Sequence, residues 1–138
     1  MIKNSSTTVV KIVPRYSETD QMGIIHHANY LIYLEQARLE WLNQLGFSYA
    51  KMEQNDVLLP VHQIDIKYKK PIKFGDEISV RISLKKLPTT RVIFDYEIVN
   101  QNDEICSLCE LTLVFTDAQK FRPIKPIPDF LEACKKLF

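Results

Sequence analysis

The architecture of this chain follows from residues 29–45, NYLIYLEQARLEWLNQL. Within this segment the apolar residues recur at the spacing of an α-helix, whereas Gln36, Glu40 and Asn43 lie on the opposite side. Gly46 follows directly, and glycine commonly ends a helix. A helix with so broad an apolar face must be buried against another layer of structure. The apolar stripe consists of Tyr30, Leu31, Leu34, Ala37, Trp41, Leu42 and Leu45.

The residues after this helix read as β-strands. In residues 62–69 and 78–85 apolar and polar residues alternate, which is typical of strands with one buried face. A first strand is predicted over Thr8–Tyr16, with Val10 and Ile12 on one face. About five strands around one long helix give an α+β fold. The other inward-facing residues are Val92, Phe94, Tyr96 and Ile98, and then Leu111, Leu113 and Phe115.

Three turns separate the predicted strands, at residues 75–76, 87–89 and 100–103. The last two are short enough to join neighbouring strands as hairpins. The segment Phe121–Pro128 contains three prolines and is expected to run extended, before a short helix over Asp129–Leu137 packs on the sheet as a lid. No internal repeat or low-complexity segment interrupts the chain, so residues 1–138 are predicted to form a single domain.

Ahead of the helix, residues 16–30 bring together two carboxylates, two imidazoles and a glycine. The start of a helix presents unpaired backbone N–H groups and the positive end of a dipole, which stabilise an oxygen that becomes negative during a reaction. Gly23 permits a bend that would let Asp20 fold back toward this helix start. We therefore interpret the segment as an active-site loop. The alternative is an ordinary turn that Asp20 caps.

The loop carries the motif Tyr-x-x-x-Asp-x-x-Gly-hydrophobic-hydrophobic-x-His-x-Asn-Tyr. Its members here are Tyr16, Asp20, Gly23, Ile24, Ile25, His27, Asn29 and Tyr30, followed by Leu34-Glu35-Gln36-Ala37-Arg38 and by YKKPIKFGD at residues 68–76. With these features the chain resembles, over nearly its whole length, the hotdog-fold acyl-CoA thioesterases of the 4-hydroxybenzoyl-CoA thioesterase type. The resemblance implies a curved antiparallel sheet wrapped around a central helix. His26 departs from the motif, because the family more often carries Tyr or Phe there, and the acyl pocket is expected to differ accordingly.

The resemblance also implies roles for the loop residues. Asp20 is expected to attack the thioester carbonyl as a nucleophile or to deprotonate water as a general base, two roles that the sequence leaves open. Backbone N–H groups around His26 and His27 would polarise the carbonyl oxygen. His27 is a second catalytic candidate, because an imidazole can position water or protonate the departing thiolate; the alternative is that it only orients the loop. The predicted substrate-binding residues are Gly23, Ile24, Ile25 and His26.

Other polar residues have a structural interpretation first. Arg38 falls within the apolar stripe and is predicted to pair with Glu35, one helical turn earlier. Glu35 is also the alternative catalytic acid, ranked below Asp20, because another branch of hotdog thioesterases places its acid on the helix. The remaining expectations are an inward-facing His62, a solvated Glu18 and an Asn29 that caps the helix.

Composition describes a globular chain without bulk attraction for nucleic acid. Apolar residues make up 46% and charged residues 25% of the chain, and its formal net charge is +1. No apolar run approaches the ~20 residues needed to span a bilayer. Residues 1–6 lack the apolar core of a signal peptide, so a cytoplasmic location is expected.

The three cysteines are an odd number and a poor disulfide framework. Cys106 and Cys109 are three residues apart in a predicted strand, where their side chains would face opposite ways and could not share a metal. We expect them to be small buried residues. No metal and no cofactor is expected, apart from the coenzyme A that the substrate carries.

The predicted substrate is an acyl-CoA or an acyl-carrier-protein thioester, which would be hydrolysed to a free acid and a thiol. Met22, Ile24 and Ile25 suit short fatty and aromatic acyl groups alike. The open edge of the sheet predicts pairing of subunits across a two-fold axis, as a homodimer or homotetramer. Two other functions stay open: a hotdog hydratase or dehydratase, and a non-catalytic acyl-CoA-binding subunit.

Overall fold

The fold is described from a computed structural model over residues 6–138. The prediction about a signal peptide therefore falls, except for Ser6, on residues outside the described range. The described residues contain seven strands: β1 (Thr8–Ile12), β2 (Val57–Leu58), β3 (Val61–Tyr68), β4 (Ile78–Leu84), β5 (Arg91–Val99), β6 (Ile105–Val114) and β7 (Thr116–Asp117). The helices are α1 (Tyr30–Leu45), α2 (Tyr49–Gln54) and α3 (Pro128–Lys135).

Helix α1 packs against β1 and β4 and supplies the centre of the core. It begins one residue after the predicted start and ends, as predicted, at Gly46, which has the left-handed φ of 93°. Leu34 and Ala37 are completely buried beneath the sheet. Leu31, which the sequence placed on the buried stripe, is 47% exposed. It lies at the margin of the stripe, where the sheet does not cover it.

The main sheet is antiparallel, with five strands in the order β1-β4-β5-β6-β3. The β4–β5 and β5–β6 pairs confirm the two hairpins predicted from the turns. Strand β3 pairs with β6 on one side only and is an edge of the sheet. The expectation of an inward His62 is wrong: the residue is exposed, at a shift of register between Val61 and Gln63 that disrupts the alternation.

Helix α2 and the two-stranded sheet formed by β2 and β7 are additions to the predicted elements. Helix α2 has only six residues, begins at a Ser48 side chain that accepts a hydrogen bond from the Lys51 N–H, and buries Met52. So short a helix has no helical periodicity for a sequence to show. Helix α3 confirms the predicted tail helix, and its buried Phe130 packs edge-on against Phe47 and Phe115.

Within residues 6–138, no helix has both the length and the apolar character that crossing a membrane requires. Cys106, Cys109 and Cys134 are all buried and unpaired, as expected for the first two. One hydrophobic core joins α1, the main sheet and α3.

Candidate active site

The loop between β1 and α1 is fastened to the segment that precedes β4. The Ile25 N–H donates to the Ile72 carbonyl at 2.7 Å, and the Phe74 N–H donates to the Gly23 carbonyl at 3.2 Å. Ile24 and Lys73 form an isolated antiparallel bridge between these two contacts. The loop is thus held by a short strand-like ladder, which fixes its position relative to the sheet.

Asp20 folds back on its own loop. Its Oδ1 accepts hydrogen bonds from the backbone N–H groups of Met22, at 2.7 Å, and Ile24, at 3.4 Å. Gly23 makes this turn possible because it adopts a left-handed φ of 77°. The Asp20 Oδ2 has no hydrogen-bond partner among residues 6–138. The Asp20 Oδ1 therefore caps a turn, as in the alternative interpretation of this loop, and the Oδ2 is available for chemistry.

The backbone N–H groups of Ile24–Tyr30 are almost all hydrogen-bonded within the protein. The His26 N–H donates to the Glu18 carbonyl, and the Asn29 N–H donates to the His26 carbonyl, both at 2.9 Å. Across this fully described segment the His27 N–H alone has no acceptor. Of the backbone N–H groups around His26 and His27 that were predicted to polarise a carbonyl oxygen, only the His27 N–H is therefore free to do so. The other bonds run from Ile24 N to Asp20 Oδ1, Ile25 N to Ile72 O, Ala28 N to His26 Nδ1, and Tyr30 N to the carbonyls of Ala28 and His27.

The two histidines have different environments although their rings stack at 4.4 Å. The His26 Nδ1 accepts the Ala28 N–H at 3.1 Å, so this side chain caps the 3-10 turn that starts α1. The His27 ring meets the edge of Tyr68, with 6.3 Å between ring centroids. The Tyr68 hydroxyl also donates to the His27 carbonyl at 3.4 Å. His26 is thus engaged in the turn, while His27 faces the strand β3.

A cleft of about 290 Å³ opens between the loop and the end of β3. Four of the predicted site residues line it, namely Asp20, Ile24, Ile25 and His27. The other two, Gly23 and His26, do not: one forms the turn and the other caps it. The remaining lining residues were not predicted as site residues, although their segment belongs to the family motif; they are Tyr30, Tyr68, Lys69, Lys70 and Pro71.

Burial of the tyrosines of this cleft keeps them protonated. It raises the pKa of Tyr30 to about 12, and it also raises the pKa of Tyr68. Their hydroxyls are therefore neutral hydrogen-bonding groups at ordinary pH. Among residues 6–138, no three His, Cys, Asp or Glu side chains lie close enough together to hold a metal ion.

Glu18 differs from its prediction. It is 6% exposed instead of solvated, and its carboxylate accepts hydrogen bonds from the Tyr33 hydroxyl and from Arg15. The Asn29 side chain also differs: its Nδ2 donates to the Glu18 carbonyl at 2.8 Å and does not cap α1. Because Tyr33 lies 15 residues beyond Glu18, no local pattern could have indicated the contact.

The predicted ion pair of Arg38 with Glu35 is also wrong. Arg38 is buried, and its Nε donates to the Tyr49 hydroxyl at 2.7 Å. The buried Tyr96 hydroxyl lies close enough to act on the same guanidinium electrostatically, but it makes no hydrogen bond of ordinary geometry. Glu35 is exposed on α1 and does not line the cleft. Asp20 is accordingly the carboxylate that the structure places at the cleft.

A five-stranded antiparallel sheet around one long helix defines a hotdog protein, and Asp20 and His27 line a cleft at the start of that helix. The sequence pattern of the thioesterase-like superfamily matches residues 14–134, and the chain belongs to this family. The predicted resemblance and the hotdog fold are thereby confirmed, and so is the enzyme class, a thioesterase.

Individual relatives cover nearly the whole chain. A protein of Bacillus subtilis (strain 168), provisionally named acyl-CoA thioesterase YneP, is 37% identical over 129 residues, which are 91% of this chain and 94% of that protein. The acyl-CoA thioester hydrolase YbgC of Escherichia coli O6:H1 is 27% identical over 108 residues, 78% of this chain and 81% of that protein. The crystal structure of a DHNA-CoA thioesterase from Staphylococcus aureus superposes with a TM-score of 0.89 at 35% identity, covering 94% of this chain and 89% of that one.

Proposed function

We propose that this protein hydrolyses acyl-CoA thioesters to a free acid and coenzyme A. The observation that carries the proposal is the cleft that Asp20 and His27 share, since among residues 6–138 the Asp20 Oδ2 and the His27 N–H have no hydrogen-bond partner. The names of the relatives, among them an acyl-CoA thioester hydrolase and a DHNA-CoA thioesterase, support the same chemistry.

The unpaired His27 N–H donates to the thioester carbonyl oxygen. This bond strengthens as the oxygen becomes negative in the tetrahedral transition state, and the nearby helix start adds its positive dipole end. The backbone donor costs no reorganisation because the His26 and Asn29 bonds on either side of it already fix the turn. Carbonyl polarisation is therefore assigned to one amide.

The Asp20 Oδ2 has two routes to the products. As a nucleophile it attacks the carbonyl carbon, the C–S bond breaks with release of the thiolate, and water then cleaves the mixed anhydride. As a general base it takes a proton from water while the water oxygen attacks the same carbon, and the C–S bond then breaks to give the free acid and the thiolate. In this proposal the His27 imidazole, whose residue lines the cleft, gives a proton to the departing thiolate.

The substrate class follows from the walls of the cleft. Ile24, Ile25 and the rings of Tyr30 and Tyr68 offer apolar surface for an acyl group, whereas Gly23 and His26 shape the loop from outside. An acyl-carrier-protein thioester has the same reacting group and stays an alternative substrate. Neither substrate requires a metal or a further cofactor in this mechanism.

Assembly and location also stay predictions. Strand β3 is an unpaired edge on which six of eight residues are exposed, which favours pairing with a second copy as a homodimer or in a homotetramer. A cytoplasmic location suits a coenzyme A substrate.

The test is a panel of acyl-CoA esters assayed by thiol detection, with Asp20→Asn beside the natural protein. Asparagine keeps an oxygen that can accept from Met22 and Ile24, so the turn is retained while the charge is lost. We expect kcat to fall by ~10² to 10⁴ without a change in melting temperature. Asp129→Asn, an exposed aspartate on α3, is the matched control and should retain full activity.

Each outcome has a distinct meaning. Absence of turnover on every ester would contradict hydrolysis by this protein. Turnover that survives Asp20→Asn would remove Asp20 from the mechanism while leaving the activity. A change in enoyl-thioester absorbance without thiol release would favour the hydratase or dehydratase instead.

A further inference from the structure

We infer that Glu18 is a positioning residue of this site: its buried carboxylate and its carbonyl fix the loop to α1 so that Asp20 and His27 line one cleft. The inference rests on the proposed function for its catalytic consequence, but it also predicts a property of the loop that needs no substrate. No step of the mechanism above uses Glu18.

The carboxylate of Glu18 joins three parts of the chain. Its Oε1 accepts from the Arg15 N–H at 2.7 Å and from the Tyr33 hydroxyl at 2.8 Å. Its Oε2 accepts from the Arg15 guanidinium, with 3.2 Å to Nη2 and 3.4 Å to Nε. Tyr33 lies in the first turn of α1 and is 1% exposed. The start of the loop is thereby bonded to the side of the helix.

The backbone of Glu18 reaches the other end of the loop. Its carbonyl accepts the His26 N–H at 2.9 Å and the Asn29 side-chain amide at 2.8 Å. These two donors flank His27, and Glu18 itself is only two residues before Asp20. One residue therefore connects the carboxylate side of the cleft with the amide side.

The physical cost of this arrangement argues for a specific use. Withdrawing a carboxylate from water is unfavourable unless charge and hydrogen bonds compensate, and an apolar residue could fill the same space. An apolar residue, however, forms no directional hydrogen bonds, whereas a polar network in which every group is hydrogen-bonded specifies one geometry. Burial and the adjacent carboxylate raise the pKa of Tyr33, so its hydroxyl stays protonated and continues to donate.

The effect of a positioning residue on the rate of catalysis can be measured. A displacement of about 1 Å in a reacting group can cost ~10² in rate. We expect Glu18→Ala to lower kcat about 10²-fold and Tyr33→Phe about 10-fold, with KM within a factor of about three in both, because neither side chain lines the cleft. The double variant should be no slower than Glu18→Ala alone, since both changes remove the same contact.

Two variants separate positioning from bulk stability. Glu18→Gln keeps the Oε1 that accepts from Arg15 and Tyr33, and the Arg15 side chain is exposed enough to move from the amide, so its kcat should stay within about threefold of the natural protein. Tyr49→Phe removes the hydroxyl that accepts a hydrogen bond from Arg38, another buried charged residue, at a place away from the loop. It should lower the melting temperature without lowering kcat per folded molecule.

Backbone hydrogen exchange of residues 19–29 supplies the readout without substrate. Exchange in this segment should become faster in Glu18→Ala and in Tyr33→Phe, and stay unchanged in Glu18→Gln and Tyr49→Phe. Loop exchange or kcat that is unaltered in Glu18→Ala would overturn the inference even if Asp20→Asn is inactive. If the natural protein hydrolyses no ester, the proposed function fails, and the exchange data alone decide whether Glu18 positions the loop.

Discussion

Replacing Gly23 by alanine tests whether the geometry of the loop, and not only its composition, matters for activity. Gly23 has a φ of 77°, a conformation that L-residues with a Cβ disfavour by about 1–2 kcal/mol. A Cβ built at this position would meet no atom within 4 Å, so steric contact with neighbours adds nothing. Alanine also restricts the unfolded chain, which offsets about 0.4–1 kcal/mol. The expected net loss is about 1 kcal/mol, or about 3–5 °C in melting temperature.

The activity should fall by more than this stability loss suggests. The loop is exposed at Gly23, so the strain of Gly23→Ala can be relieved by rotating the backbone away from positive φ. That rotation would break the hydrogen bond from the Gly23 N–H to the Asp20 carbonyl, at 3.3 Å, and turn the Met22 and Ile24 N–H groups away from Asp20 Oδ1. We expect kcat to fall at least about tenfold.

Gly46 provides the matched control for this experiment. It has a φ of 93°, and a Cβ there would also meet nothing within 4 Å, but it ends α1 far along the helix from the cleft. Urea denaturation should show similar losses of stability with unchanged m-values for Gly23→Ala and Gly46→Ala. Acyl-CoA turnover should fall only in the first. Equal kcat in the two variants, or no stability loss in either, would refute this reasoning.

Three further predictions concern buried groups. Burial opposes ionisation of Glu18, but hydrogen bonds outweigh this effect and lower the pKa of its carboxyl below the unfolded value of ~4.3. The stability that Glu18 contributes should therefore be present above that pH and be lost as pH falls through the folded pKa. Urea denaturation across acid pH should show that the free energy of unfolding depends less on pH in Glu18→Gln than in the natural protein. Arg38→Met should cost about 1–3 kcal/mol in urea denaturation because it leaves the half-buried Tyr49 hydroxyl without its partner, and adding Tyr49→Phe should recover part of that loss. All three cysteines are buried, and burial raises the pKa of Cys134 to about 12. A disulfide reagent at pH 8 should therefore label none of them in the native protein and all of them in urea. Fast labelling of the native protein would contradict the packing.

The elements that the sequence predicted well are those whose signal is local. The start of α1 and its end at Gly46 follow from helical spacing and from one residue type, and both agree with the structure within one residue. The hairpins β4–β5 and β5–β6 follow from alternation and short polar turns. In each case the pattern that predicts the element lies within the segment itself or within the turn that adjoins it.

The errors share the opposite cause. Arg38 has its partner on α2, a helix too short to show a period, so Glu35 was the nearest candidate that the sequence offered. Glu18 is buried only because Tyr33 and the end of the loop close over it. His62 faces solvent because β3 is an edge strand with a shift of register. Burial and pairing of these groups are properties of the assembled chain.

The same distinction bears on the site itself. Residues 13–29 form a connection longer than the roughly 12–15 residues above which connections are uncommon in compact domains, and such long connections are commonly functional. The sequence identifies the loop by its residue types, but it cannot say which polar groups the fold has already used. The structure answers by elimination, since Glu18, Asn29, His26 and one oxygen of Asp20 hold the loop together. Within residues 13–29, the Asp20 Oδ2 and the His27 N–H keep no such partner, and the two residues line one cleft; a thioester would use a carboxylate oxygen and an amide donor during hydrolysis.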